Sequence, residues 1–137
     1  MEAVILDAGP IVAYFDTSEE HHEWCVRQFE SLRPPLLSCE TVIAEAAYLI
    51  ETRDGDSSSL FRFLREKIIQ LPFQLEIEIE KVIDLRRRYA DLPMDLADAC
   101  LVCMTEKYRN SRVFTLDHDF KIYRRYGRQV IPLIFPS

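Results

Sequence analysis

Two short apolar runs in this chain end in acids. VFTLDHDF, residues 113–120, places Asp117 and Asp119 after three apolar residues and a threonine, and AVILDAG puts Asp7 after a similar run near the N-terminus. Two further segments place acids in apolar surroundings: Glu45 within TVIAEAAYLI, and Asp95 with Asp98 within PMDLADACLVCM. An unpaired buried carboxylate costs several kcal/mol or takes up a proton. Glu45, flanked by apolar residues almost all round its helix, is expected to be buried and to need a partner. Asp95 and Asp98, three apart, share one helix face. An acid in a first turn can serve only as a cap or a dipole partner, worth about 0.3 to 1 kcal/mol. That reading suits Asp95 as well as a functional one does, and suits Asp98 less, because Asp98 leads into the apolar part of the helix.

If Asp7, Glu45, Asp98 and Asp117 converge, they repel one another, and either protonation or a bound cation must relieve the repulsion. Hard divalent ions such as Mg²⁺ take oxygen ligands from a few carboxylates plus waters. Zinc is disfavoured because no cysteine or histidine joins the group. The histidines are His21 and His22, in a polar helix start, and His118, which is expected to be exposed.

The elements that must position these acids alternate. AVIL, PLLSC (35–39), VFTL (113–116) and VIPLIF (130–135) are strand-length apolar runs, with PFQLEI from residue 72 a weaker fifth. Helix-length segments lie between them at 18–32, with Ser18 as N-cap, and at 40–53, 58–69 after the turn DGDSSS, 77–90, 95–108 and 119–126. Strands alternating with helices indicate a parallel sheet covered on both faces, whose ligands bind beyond the carboxyl ends of the strands. Asp7 and Asp117 both fall at such ends.

Composition limits what the acids can belong to. At 137 residues and 48% hydrophobic, the chain reads as one domain, 1–137, with no internal repeat. Glu2 stands where a signal peptide needs a basic residue, and no segment has the apolar length of a membrane span, so a cytoplasmic protein with no membrane association is expected. Four cysteines in such a chain are expected to be reduced, small and buried; Cys100 and Cys103 form the only close pair, and nothing nearby completes a zinc tetrad. The net charge of −6 argues against a broad basic surface, yet residues 1–60 hold 3 basic and 12 acidic side chains while residues 61–137 hold 14 and 11. LRRRY (85–89) and YRRYGR (123–128) are either solvated helix faces or phosphate contacts.

The order VILDAG, SCETVIAEAAYLIETRDGD, LPMDLADACLVCMTEKY, VFTLDHDF resembles the PIN-domain ribonucleases, most of all the compact toxin nucleases of VapC type, over residues 3 to about 135. The resemblance implies an α/β fold: a three-layer α/β/α arrangement with a central parallel sheet of about five strands in the order 3-2-1-4-5. It also implies catalytic positions at Asp7, Glu45, Asp98 and Asp117. Of these, Asp7, Asp98 and Asp117 are expected to hold Mg²⁺ or Mn²⁺, with Asp95, Asp119 and Thr115 auxiliary. A homodimer, an antitoxin partner and products with 5′-phosphate and 3′-hydroxyl ends follow from the same resemblance.

Residues and resemblance together imply an endoribonuclease in which the cation binds a phosphodiester oxygen and lowers the pKa of a water for in-line attack. Glu45 or Asp117 would hold that water or accept its proton, and arginines and lysines outside the cluster would position the RNA backbone. Other classes fit less well. A phosphoacceptor receiver domain wants a lysine near the last strand, which VIPLIF lacks, and a haloacid-dehalogenase-like phosphatase wants a second aspartate where DAG has glycine. An RNA-processing nuclease without an antitoxin, or a non-catalytic module whose acidic pocket receives a partner's arginine, remains compatible with the residues. Tyr14, Phe15 and Trp24 are expected in the core or a dimer contact rather than against bases, and GPIVAYFD with the following helix is the expected interface.

Overall fold

The computed structural model describes residues 2–53 and 55–137, so Asp54 of the expected DGDSSS turn lies outside the described residues. The elements run β1 (Ala3–Leu6), α1 (Ala8–Phe15), α2 (His22–Ser31), β2 (Leu36–Leu37), α3 (Glu40–Thr52), α4 (Ser58–Arg65), β3 (Ile69–Gln70), α5 (Ile79–Arg88), α6 (Leu96–Lys107) and β4 (Ser111–Phe114). A 3-10 turn (His118–Lys121), β5 (Arg124–Arg125), β6 (Gln129–Val130) and β7 (Leu133–Ile134) complete the chain.

Five strands form one sheet in the order β3-β2-β1-β4-β7, every pairing parallel. Counting only the strands of this sheet, that is the expected 3-2-1-4-5. β1 sits at its centre, with Leu6 opposite Phe114 and Ile5 opposite both Val113 and Leu37. Successive strand residues point to opposite faces. Ile5 and Leu6 are both fully buried, as are Val113 and Phe114, so the helices cover both faces at the middle of the sheet.

The helices follow from where their apolar residues fall. Nine consecutive residues of α6, Ala97 to Thr105, are buried, which makes it an interior helix packed on β1, β4 and α5. α3 buries only one stripe, Val42, Ile43, Ala46 and Ile50, and packs on α1.

Several elements depart from the sequence reading. α1 is an additional helix. Gly9 and Pro10 look like breakers, but first-turn amides have no intrahelical acceptor, so proline loses no bond there. α2 starts at His22, not after Ser18, because Ser18 donates through both its amide and its hydroxyl to Asp16 Oδ1 in a turn. The third strand is Ile69–Gln70, at the end of the segment expected to be helical, and PFQLEI is not a strand. VIPLIF divides: Val130 pairs in the β5–β6 hairpin, and only Leu133–Ile134 joins the main sheet. Residues 119–126 are not one helix; the 3-10 turn gives way to that hairpin, whose tip holds Tyr126 and Gly127 at positive φ (53° and 83°). None of the helices among the described residues is long and apolar enough to cross a membrane.

Candidate active site

The acids gather where the sheet chemistry requires, beyond the carboxyl ends of β1 and β4. Asp7 directly follows Leu6 and is the N-cap of α1; its Oδ1 accepts from the Ala8 amide at 2.8 Å, and its own amide donates to the Phe114 carbonyl at 3.0 Å. Its Oδ2 accepts from the fully buried Thr115 hydroxyl at 2.6 Å. Thr115 Oγ1 in turn accepts from the Asp117 amide at 3.0 Å, and Asp117 Oδ1 accepts from the Asp119 amide at 2.9 Å. Thus β1 and the segment after β4 are laced together through one hydroxyl.

The N-terminus of α6 supplies the next acids. Asp95 is its N-cap, and its Oδ1 accepts from the Asp98 amide at 2.7 Å. That answers the question left open for Asp95, which does cap the helix, and it leaves the Asp98 carboxylate free of capping. Asp98 is buried, and its Oδ2 accepts from the Tyr123 hydroxyl at 2.9 Å.

Electrostatics ties these groups to one another. Burial pushes the Asp7 carboxyl up to about 6 against the opposing bonds from Thr115 and Ala8, with Glu45 and Asp117 raising it further. Burial and the neighbouring Asp95 push Asp98 up to about 8, with Asp7 and Asp117 adding to the rise. Glu45 is raised too, by partial desolvation and by Asp95 and Asp117. Asp7, Glu45, Asp95, Asp98 and Asp117 therefore share one electrostatic site although they come from four separate segments. Among the described residues, none of them has a lysine or arginine within salt-bridge distance.

The expected burial of Glu45 is not met: the residue is exposed. α3 is apolar on both sides of its sequence position, but Ala44, Glu45 and Tyr48 face outward while the stripe from Val42 to Ile50 faces inward. Glu45 thus needs no buried partner; it stands at the rim of the acidic site. Asp119 is half-buried, and His118 is exposed, its ring edge-on to Phe135 at 5.0 Å.

Whether the donor set suits a cation can be judged from its chemistry. All the candidate ligands are carboxylate oxygens, neighbouring acids help to raise Asp7, Glu45 and Asp98, and no base among the described residues offsets them. Asp98 Oδ1, Asp117 Oδ2 and Asp95 Oδ2 make no hydrogen bond among the described residues. A hard divalent ion fits such a set. Among the described residues, however, no three histidine, cysteine or acidic side chains are already drawn together into a ready-made metal cage. The acids share one electrostatic site rather than closing on a point.

Two residues of the site carry no chemical pattern in the sequence. Tyr123 looks like one more aromatic in YRRYGR, yet it is fully buried against Asp98. Ser38, fully buried after β2, donates to the Leu6 carbonyl at 2.8 Å and so steadies the backbone just before Asp7. Its position at the end of PLLSC, matching that of Asp7 after AVIL, was the available signal.

Other motifs resolve into structural roles. All four cysteines are free and buried. Cys100 meets Cys39 rather than completing a site with Cys103, and the contact between them holds the Cys39 thiol down at about 7. Arg125 is buried, donating to the Thr105 carbonyl and Gln129 Oε1, each at 3.2 Å, and is unavailable to phosphate, whereas Arg86, Arg87 and Arg88 are exposed in the last turn of α5. Tyr14 packs edge-on against Phe15, Phe29 and Phe63, and Trp24 against Phe114, so these rings belong to the chain's own packing. Ala8 and Pro10 through Ala13 are buried as well, which leaves α1 little apolar surface for the interface expected there. A cavity of about 680 Å³, bordered by Glu2, Arg33 and Arg112, opens at the opposite, amino-terminal ends of β1 and β4 and holds none of the clustered acids.

Comparison with known proteins bears on the family and the fold. The PIN domain profile matches residues 4–126. Ribonuclease VapC26 of Mycobacterium tuberculosis is 31% identical over 127 residues, covering 90% of this chain and 94% of that protein. The crystal structure of Mycobacterium tuberculosis VapC20, a sarcin-ricin loop cleaving toxin, matches with a TM-score of 0.75 over 88% of this chain and 94% of that one. At 17% identity that likeness speaks for the fold alone.

Proposed function

The chain belongs to the PIN-domain family, and on that premise we propose that it is a divalent-metal-dependent endoribonuclease, acting as the toxin of a VapBC-type toxin-antitoxin pair. The observation that carries the reading is that Asp7, Glu45, Asp95, Asp98 and Asp117 act on one another electrostatically, with no basic residue among the described residues within salt-bridge distance.

Asp7, Asp98 and Asp117 would hold Mg²⁺ or Mn²⁺. When bound, the ion neutralises phosphodiester charge and lowers the pKa of a water nucleophile. The chain's own residues do the rest. Thr115 locks Asp7 to the Asp117 backbone, and Asp95 caps the helix that presents Asp98. Glu45, exposed and raised by desolvation and by Asp95 and Asp117, or Asp117 itself, would hold the water nucleophile or accept its proton. The exposed arginines at the end of α5 would carry the RNA backbone, with phosphate contacts positioning rather than specifying. Without a cation, an acidic site of this charge would repel RNA, so activity should depend on the metal. A toxin role implies a cognate antitoxin, and we propose a homodimer in the cytoplasm; light scattering on the purified protein reads the oligomeric state.

The test is incubation with a panel of folded RNAs in Mg²⁺ or Mn²⁺, in EDTA, and with an Asp98→Asn variant. Discrete cleavage that needs the metal and disappears in the variant is the expected result. A protein that binds a basic peptide but cleaves no RNA in Mn²⁺ would instead be a partner-binding module.

A further inference from the structure

Asp98 stands at the third position of α6, the position from which the longer glutamate or glutamine of a capping box turns back to the amide of the cap residue. Here the cap bond runs only one way, from the Asp98 amide to Asp95 Oδ1, and the Asp98 carboxylate accepts instead from Tyr123, 25 residues further along. Tyr123 is fully buried. Burying a hydroxyl is unfavourable unless it is hydrogen-bonded, and a phenylalanine would fill the same space without that cost. Phe120 does so in the neighbouring position.

Two aromatic rings flank the Tyr123 ring. Phe120 and Tyr89 meet it edge-on at 5.2 Å and 5.1 Å. The backbone that carries it is held too: the Tyr123 amide donates to the Asp119 carbonyl at 3.0 Å, and the next amide, of Arg124, donates to the Tyr89 hydroxyl at 2.8 Å. Arg124 Nη1 then gathers the carbonyls of Lys121, Ile122 and Tyr123 at 2.9, 2.9 and 3.1 Å. A hydroxyl on so fixed a ring dictates the rotation of the carboxylate it meets. It occupies Oδ2 and leaves Oδ1 of Asp98 without a hydrogen bond among the described residues.

We infer that Tyr123 is a positioning residue for the reaction: its hydroxyl, carried on a buried ring flanked by the rings of Tyr89 and Phe120, holds Oδ2 of Asp98 and leaves Oδ1 free for a cation. The inference rests on the metal-dependent nuclease reading. Groups that orient a ligand in this way change metal affinity or activity by about 10 to 100-fold when removed.

The experiment is a calorimetric Mn²⁺ titration of wild type, Tyr123→Phe and Tyr89→Phe, with metal-free melting and steady-state RNA cleavage recorded for each. Tyr89→Phe removes a hydroxyl from the same aromatic cluster that touches no acid, and so reports loosening of the segment alone. The expected result is Mn²⁺ affinity about 10-fold or more weaker in Tyr123→Phe, a lower kcat with an unchanged KM for RNA, and wild-type Mn²⁺ affinity in Tyr89→Phe. Wild-type Mn²⁺ affinity in Tyr123→Phe, or equal weakening in both variants, would overturn the role of the hydroxyl. The titration needs no RNA target. A wild-type protein that binds no Mn²⁺ would overturn the metal reading itself, a different outcome from normal binding in the variant.

Discussion

The Thr115 hydroxyl donates to Asp7 Oδ2 at 2.6 Å, joining residues 108 apart in sequence at the carboxyl ends of two adjacent strands. It also accepts from the Asp117 amide. Replacing it by valine keeps the shape and removes both bonds, stranding a buried carboxylate oxygen and an amide. Thr115→Val is expected to lose about 1 to 3 kcal/mol of stability in urea unfolding and most of the RNA cleavage, while Thr115→Ser retains both. Equal activity in the valine variant would make the hydroxyl mere packing.

The pH dependence of the metal-free protein follows from Asp7 and Asp98. Both carboxyls are raised by burial, to about 6 and about 8, from an ordinary value of 3.8. An acid whose folded pKa lies above its unfolded one holds its proton more tightly when folded, so its contribution is complete below the unfolded pKa and is lost as pH rises through the folded one. The metal-free protein should therefore melt at a lower temperature at about pH 9 than at about pH 5. Because the cation competes with these protons, Mn²⁺ affinity should rise over the same range, and saturating Mn²⁺ should restore the melting temperature lost at high pH. Differential scanning calorimetry with and without EDTA reads both.

Glu45 separates chemistry from stability. It is exposed, so Glu45→Gln should change unfolding free energy by no more than about 0.5 kcal/mol. As the candidate proton acceptor it should nonetheless lower kcat by about 100-fold or more, with little change in KM. A destabilised but active variant would return Glu45 to a structural role.

Arg125 makes the opposite case. It belongs to a run that invites a phosphate assignment, yet it is buried and bonded to the Thr105 carbonyl and Gln129. Arg125→Met is expected to cost about 2 kcal/mol by leaving those acceptors unmet, without changing the KM for RNA of the folded fraction. A raised KM at undiminished stability would place Arg125 in the substrate path instead.

How far the site was legible depends on which interactions are local. Asp7 and Asp117 announce themselves because a parallel strand reads as an apolar run and its carboxyl end is where polar residues begin. Asp98 is visible because it interrupts the entry to a helix buried all round, and Asp95 because a cap precedes a helix in sequence as it does in space. Each of these patterns spans only a few residues.

The sequence by itself thus determined the alternation of strands and helices, the parallel sheet and the acids at its carboxyl edge, since periodicity, caps and strand ends are written within one element. The tertiary structure alone decided that α1 survives its Gly-Pro start, that Glu45 stands at the rim, that Arg125 turns inward and that Tyr123 reaches Asp98. These outcomes depend on which faces are covered by segments tens of residues away. A helix apolar on every side in sequence buries only the stripe its neighbours cover, and a tyrosine becomes part of a site only when the packing of its ring sets its hydroxyl against a carboxylate.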